Sequence, residues 1–73
     1  MPGYKMNPKA ARHIAGITQE DMAKLLCITQ STYSKYERDP GRFTVAQMWQ
    51  FCRAVKMPME EVFSDDWRYH KAV

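Results

Sequence analysis

The feature that most constrains the fold is a series of helix-start signals at short intervals along the chain. Asn7 followed by Pro8 is a typical N-cap and first helical residue, and Thr18, Thr29 and Thr44 each precede a stretch with helical spacing. Because each helix must end before the next begins, these intervals allow only short helices. The pattern predicts five helices and no strand, over roughly residues 8–15, 18–26, 29–38, 44–56 and 59–63.

Five short helices joined by tight turns in 73 residues predict a single all-α domain, a compact five-helix bundle. Its core is expected over about residues 7–64, with residues 1–6 as a flexible arm and 65–73 as a tail. The stretch DPGRF is predicted to be a loop because of its Pro-Gly pair. The second and fourth helices are expected to turn the following apolar side chains inward: Met22, Ala23, Leu25, Leu26, Val45, Met48, Trp49, Phe51, Cys52 and Val55.

Catalytic and metal-binding patterns are missing from the sequence. The two cysteines, Cys27 and Cys52, lack zinc-site spacing and are expected to be buried thiols, while His13 and His70 stand isolated. There is no glycine-rich phosphate loop and no recognisable nucleophile–base pairing. We therefore expect no enzyme activity, no metal and no cofactor.

Charge and hydropathy narrow the class of partner. The net charge is +3 and the sequence pI is near 9.0, which is compatible with a polyanionic partner. No apolar run approaches the ~20 residues that span a bilayer, and the N-terminus lacks a signal-peptide core. A cytoplasmic location without membrane association is expected.

The third predicted helix has an unusual composition for a surface helix. Residues 29–38 read TQSTYSKYER, in which half of the residues are Ser, Thr or Gln. Serine and threonine favour a helix poorly because their side chains compete for backbone hydrogen bonds. Tyr33 and Tyr36 are three residues apart and share one face, which leaves the polar groups on another. We infer that a partner outside the chain uses these groups.

A very tight turn joins the second and third helices, since only Cys27 and Ile28 interrupt them. Two helices at roughly 90–120° linked by a 3–4-residue turn form a helix-turn-helix. The second helix of this motif can lie in the major groove of DNA.

A long segment from Arg12 to about Phe63 resembles a known family. The residues R-x-x-x-G-I-T-Q, D-M-A-K-L-L, T-Q-S-T-Y-S-K-Y-E and V-A-Q-M-W-Q-F-C-R-A-V are similar to the helix-turn-helix domains of phage repressors, Cro proteins and related bacterial regulators, the XRE-like family with a lambda-repressor-like fold. The match runs without gaps. It implies a transcriptional regulator that binds double-stranded DNA sequence-specifically.

The resemblance assigns roles along the second and third helices and the following loop. It implies base contacts in the major groove from Gln30, Ser31, Ser34 and Lys35. It implies contacts with the DNA backbone from Gln19, Thr29, Thr32, Arg38 and Arg42, and it implies that Gln19 also braces the third helix. Taken singly, Thr32 and Ser34 also fit an ordinary exposed surface, and the two arginines also fit solvated charges.

Two further positions match a structural pairing of the family. Arg12 and Glu37 are implied to form an ion pair that ties the first helix to the end of the third. The sequence departs from the family pattern elsewhere. Cys27 and Lys56 stand where glycine is common, and Phe43 stands where proline is expected. If the backbone at Cys27 keeps a positive φ, a strain of order 1 kcal/mol is expected there.

The resemblance also bears on assembly. One such domain contacts few bases, so a homodimeric repressor on a palindromic operator is expected, with Val62, Phe63, Trp67 and Tyr69 as interface candidates. Trp67 could instead fold back over the small core. The alternative function is an antitoxin that holds a toxin partner through Trp49, Phe51 and the tail aromatics, with DNA binding as autoregulation.

Overall fold

Residues 6–63 are described by the structure, a computed structural model. This part of the chain is all-helical, as predicted, and contains no strand. The elements are α1 (Pro8–Ala15), α2 (Gln19–Leu25), α3 (Gln30–Arg38), a 3₁₀ turn (Pro40–Arg42), α4 (Val45–Val55) and α5 (Met59–Val62). The 3₁₀ turn occupies the stretch that the Pro-Gly pair predicted as a loop.

Side-chain caps begin four of these helices at the predicted residues. Asn7 Oδ1 accepts from the backbone N–H of Ala10 at 2.8 Å, and the Thr18 hydroxyl accepts from that of Asp21 at 3.1 Å. Such caps satisfy N–H groups that the first turn of a helix leaves without a partner. The remaining two caps belong to α3 and α4, at Thr29 and Thr44.

Residues with a left-handed backbone conformation follow the ends of three helices, α1, α2 and α4. Gly16, Cys27 and Lys56 have φ values of 74°, 60° and 60°. After Cys27 the N–H of Ile28 bonds back to the Ala23 carbonyl at 3.0 Å, which closes α2 in a Schellman motif. Cys27 therefore adopts the conformation that favours glycine, and its side chain is exposed, so the expectation of a buried thiol is wrong at this position.

The core centres on a cluster of aromatic rings around Phe43. Phe43 directly follows the 3₁₀ turn and is buried. The Phe43 ring centroid lies 4.9–6.3 Å from those of Tyr33, Tyr36, Phe51 and Phe63. Edge-to-face contacts at such distances are favourable for aromatic rings. The other buried apolar side chains are those of Pro8, Ala11, Met22, Ala23, Leu26, Met48, Cys52, Val55 and Val62.

Three side chains expected in the core are instead largely exposed. Leu25, Val45 and Trp49 are 53%, 63% and 57% exposed. The covered face of α4 carries Met48 and Cys52, and Trp49 projects about 100° around the helix from Met48. The apolar stripe of α4 is therefore wider than the surface that covers it.

Two predicted interface residues are also placed differently from expectation. Val62 and Phe63 are 1% and 3% exposed and belong to the core, because α5 packs its apolar side on α4. Neither is available to a second chain, so this part of the predicted interface is wrong. Trp67 and Tyr69 lie outside the described residues.

Candidate nucleic-acid interface

The outer face of α3 carries the side chains predicted to read bases. Gln30, Ser31 and Lys35 are exposed and Ser34 is half-buried, whereas Tyr33 on the opposite face is fully buried. The helix is thus two-faced, and packing of Tyr33 fixes which side is presented to solvent. The structure brings the four predicted base-contact residues together along one short helix.

Two threonine hydroxyls are engaged within the first turn of α3. Thr29 Oγ1 accepts from the Thr32 N–H at 3.2 Å, and the Thr29 hydroxyl donates to Thr32 Oγ1 at 2.9 Å. This pair fixes the start of the helix. The Thr29 hydroxyl therefore acts as a cap, and Thr32 retains its own hydroxyl proton for an external acceptor.

The Glu37 carboxylate ties α1, α2 and α3 together. It accepts from Arg12 Nε at 2.5 Å, from the Tyr33 hydroxyl at 2.6 Å and from Gln19 Nε2 at 3.0 Å. The Arg12 and Glu37 side chains are only 8% and 4% exposed, and Arg12 also donates to the Ile17 carbonyl at 2.7 Å. The implied ion pair between Arg12 and Glu37 is present and is part of a larger network.

These hydrogen bonds shift the pKa of Arg12, Tyr33 and Glu37 so that the two donors stay protonated and the carboxylate stays ionised. Burial would raise the pKa of Glu37, but hydrogen bonds from Arg12, Tyr33 and Gln19 outweigh burial and lower it. Hydrogen bonding to Glu37 raises the pKa of Arg12. Burial, reinforced by the bond to Glu37, raises the pKa of Tyr33 and keeps its hydroxyl protonated as a donor.

The predicted backbone contacts differ in how their side chains are engaged. The side-chain amide of Gln19 donates one N–H to Glu37, and its second N–H is left for another acceptor. This is consistent with a residue that braces α3 and faces outward in part. The Nε atom of Arg42 lies 3.6 Å from Asp39 Oδ2, in a solvent-exposed ion pair. Arg38 is exposed and has no ion pair within residues 6–63.

Two members of the hydrogen-bond network around Arg12 and Glu37 were not predicted from the sequence. The Tyr33 hydroxyl and the Ile17 carbonyl were not assigned roles, although Tyr33 and Glu37 are four residues apart and therefore adjacent on one helix face. That spacing was a usable signal for Tyr33. No sequence signal marks a carbonyl acceptor such as that of Ile17.

Residues 6–63 contain no group of three or more His, Cys, Asp or Glu side chains placed to hold a metal ion. None of the helices described there is long and apolar enough to cross a membrane.

A helix-turn-helix joined to three supporting helices, with a polar outer face on its second member, defines a DNA-binding domain class. A helix-turn-helix family model of the XRE type matches residues 9–62, and the chain belongs to this family. It is a family of DNA-binding domains of transcription regulators, which are generally not enzymes. Searches of curated proteins and of solved structures returned no significant match.

Proposed function

We propose that the protein is a sequence-specific repressor that binds a two-fold-symmetric operator as a homodimer. The proposal is supported most strongly by the outward placement of Gln30, Ser31 and Lys35 on α3, while Glu37 anchors the same helix from behind. Such a helix can enter the major groove, and two copies bound about one helical turn apart, ~34 Å, read a palindrome.

Base reading is assigned to the first two turns of α3. The Gln30 amide can bond bidentately to adenine N6 and N7, and Lys35 can donate to guanine O6 and N7. Ser31 and Ser34 are short enough to let the helix backbone approach the groove and can bond to either kind of base edge. These contacts would supply the discrimination between sequences.

Backbone contacts are assigned to the residues that flank α3. Gln19, Thr32 and Arg38 can donate to phosphate oxygens, as can the backbone N–H groups at the start of α3 that follow Thr29. Arg42 would exchange its exposed pair with Asp39 for a phosphate, at small cost because such surface pairs contribute only about 0–1 kcal/mol. These contacts would fix register without reading sequence.

The antitoxin alternative has weaker support from the fold. It relied on Trp49, Phe51 and the tail aromatics as a protein-binding surface. Of these, Phe51 is fully buried, Trp49 is exposed, and the tail lies outside the described residues. We therefore favour the repressor.

Replacement of Lys35 and of Arg42 by alanine tests the two kinds of contact. Lys35→Ala should relax base preference at one position in each half-site, with a loss of about 1–3 kcal/mol on the preferred base. Arg42→Ala should weaken binding to all sequences alike and reduce the salt slope by about 1. Both are measured by fluorescence anisotropy on duplexes that vary one base pair at a time, over a salt series. Equal losses on every duplex for both variants would refute the base-reading role of Lys35.

A further inference from the structure

The two oxygens of the Glu37 carboxylate accept hydrogen bonds from different donors. Oε2 accepts from the Tyr33 hydroxyl at 2.6 Å and from Arg12 Nε at 2.5 Å. Oε1 accepts from the side-chain amide of Gln19 at 3.0 Å, while Arg12 Nη2 lies 3.4 Å from it. The Tyr33 hydroxyl and the Gln19 amide are therefore held by opposite oxygens of one carboxylate.

The core fixes the position of the Tyr33 hydroxyl. The Tyr33 side chain is fully buried, and its ring packs edge-on against that of Phe43 at a centroid distance of 6.3 Å. Because the hydroxyl oxygen lies in the plane of its ring, a ring held by the core holds that oxygen as well. The terminal torsions of Glu37 and Gln19 are intrinsically broad, so their hydrogen-bond partners decide how they point.

Arg12 alone does not fix the direction of Glu37 Oε1. Its short bond goes to Oε2, and its 3.4 Å separation from Oε1 is long for a hydrogen bond. Donors prefer the plane of the carboxylate that they bond to. Two short bonds to Oε2, from Arg12 and from Tyr33, therefore define this plane and leave Oε1 directed toward Gln19.

We propose that Tyr33 is a positioning residue for the contact between Gln19 and a DNA phosphate. Its hydroxyl sets the plane of the Glu37 carboxylate, and the carboxylate binds one amide N–H of Gln19. Because the amide is planar, its second N–H then points in a fixed direction. Tyr33 itself does not reach DNA, since its side chain is fully buried. The inference rests on the proposed function, in which Gln19 is assigned to a phosphate.

An amide that is held in place before DNA binds loses less freedom on binding. A mobile glutamine side chain must give up its rotamers to make one phosphate contact, whereas a preorganised side chain has already done so. Gln19 is half-buried, so part of its side chain remains accessible. Loss of the Tyr33 hydroxyl should therefore weaken DNA binding although no atom that touches DNA is removed.

Tyr33→Phe removes the hydroxyl and keeps the ring in the aromatic cluster. It should weaken binding to a duplex recovered from a random library by about threefold to tenfold, the usual net effect of one hydrogen bond. Tyr36→Phe is the matched control and should bind as the wild type does. Tyr36 lies on the same helix with its ring 5.1 Å from that of Phe43, but its hydroxyl makes no hydrogen bond among residues 6–63. Circular dichroism verifies that both variants are folded.

Neutral phosphate analogues distinguish positioning from a general structural effect. Each duplex of a series carries one methylphosphonate, which removes the charge of a single phosphate. The wild-type protein should lose affinity at the phosphate that Gln19 contacts, and both Gln19→Ala and Tyr33→Phe should lose sensitivity at that position. The double variant should bind as Gln19→Ala does, because the two residues act as one unit. Equal sensitivity of Tyr33→Phe and the wild type at every phosphate, or a full additional loss in the double variant, would overturn the inference.

Nuclear magnetic resonance relaxation of the free protein separates this inference from the proposed function. The side-chain amide of Gln19 should be ordered in the wild type and in Tyr36→Phe, and should lose order in Tyr33→Phe. An equally ordered amide in Tyr33→Phe would overturn the positioning role. Failure of the wild type to bind any duplex would overturn the proposed function alone, since the order of the amide is measured without DNA.

Discussion

Glu37 is the residue on which the orientation of α3 most depends. Its carboxylate accepts hydrogen bonds from Arg12, Gln19 and Tyr33, which together lock the end of the recognition helix against α1 and the start of α2. A nearly buried ion pair is not in itself strong evidence of stabilisation, because desolvation opposes the attraction. Removing one partner is nevertheless costly, since the other charge is then left without compensation.

Replacement of Glu37 by alanine should lower the free energy of unfolding by about 3–5 kcal/mol, because it leaves Arg12 buried and unpaired. Urea unfolding followed by circular dichroism measures this loss. Glu20→Ala is the matched control, since Glu20 forms only an exposed pair with Lys24 at 3.8 Å and should change stability by less than about 1 kcal/mol. Similar losses in both variants would contradict the network's role.

The lowered pKa of Glu37 predicts a pH dependence of stability. The unfolded state binds a proton near the ordinary pKa of about 4.3, and the folded state binds it only at lower pH. The contribution of this group is therefore complete above the unfolded pKa and is lost as pH falls through the folded pKa. Between pH 2 and 5, unfolding free energies of the wild type should fall more steeply with acidification than those of Glu37→Gln. Parallel profiles would show that Glu37 titrates alike in both states.

At the scale of elements, the turn between α2 and α3 stores strain at one residue. Cys27 has a φ of 60°, in the region where a side chain costs about 1–2 kcal/mol relative to glycine. Glycine loses more chain entropy on folding, which offsets part of that gain. The net effect sets how much Cys27 costs the folded state relative to glycine.

Cys27→Gly should stabilise the domain by about 0.5–1 kcal/mol, measured as a shift in the urea midpoint. Cys27→Ala is the control, because it removes the thiol but keeps the Cβ atom in the left-handed turn. The control should be close to the wild type. A glycine variant no more stable than the alanine variant would contradict the predicted net gain.

Local signals predicted the helices well. Asn7, Thr18, Thr29 and Thr44 act within three residues of their own position, so the sequence alone locates the helix starts. The Arg12–Glu37 pair joins residues 25 apart, and only the family resemblance indicated it. The order of elements followed directly from the caps.

Which side chains the tertiary structure buries was less predictable from the sequence. An apolar stripe shows that α4 has a buried face but not where cover by the neighbouring helices ends, and Trp49 lies beyond that edge. Phe43 follows a Pro-Gly turn, where no helical period indicates which way a side chain points. The roles of α3 side chains on DNA remain predictions, since they depend on a partner that the fold alone does not contain.

At the scale of the whole molecule, the proposed contacts divide into those that read bases and those that hold the DNA backbone. The outer face of α3 is proposed to read bases, and the residues that flank α3 are proposed to contact phosphates. Affinity for DNA should therefore depend steeply on salt, while preference between sequences should depend on α3 alone.

Selection of bound duplexes from a random library is the most direct test of the central claim that α3 reads sequence. The wild-type protein should enrich a two-fold-symmetric site at moderate salt, with half-sites about 10 base pairs apart, centre to centre. Lys35→Ala should recover the same symmetry with one position in each half-site relaxed. Absence of any enriched sequence for the wild-type protein, or an identical motif from Lys35→Ala, would contradict the account.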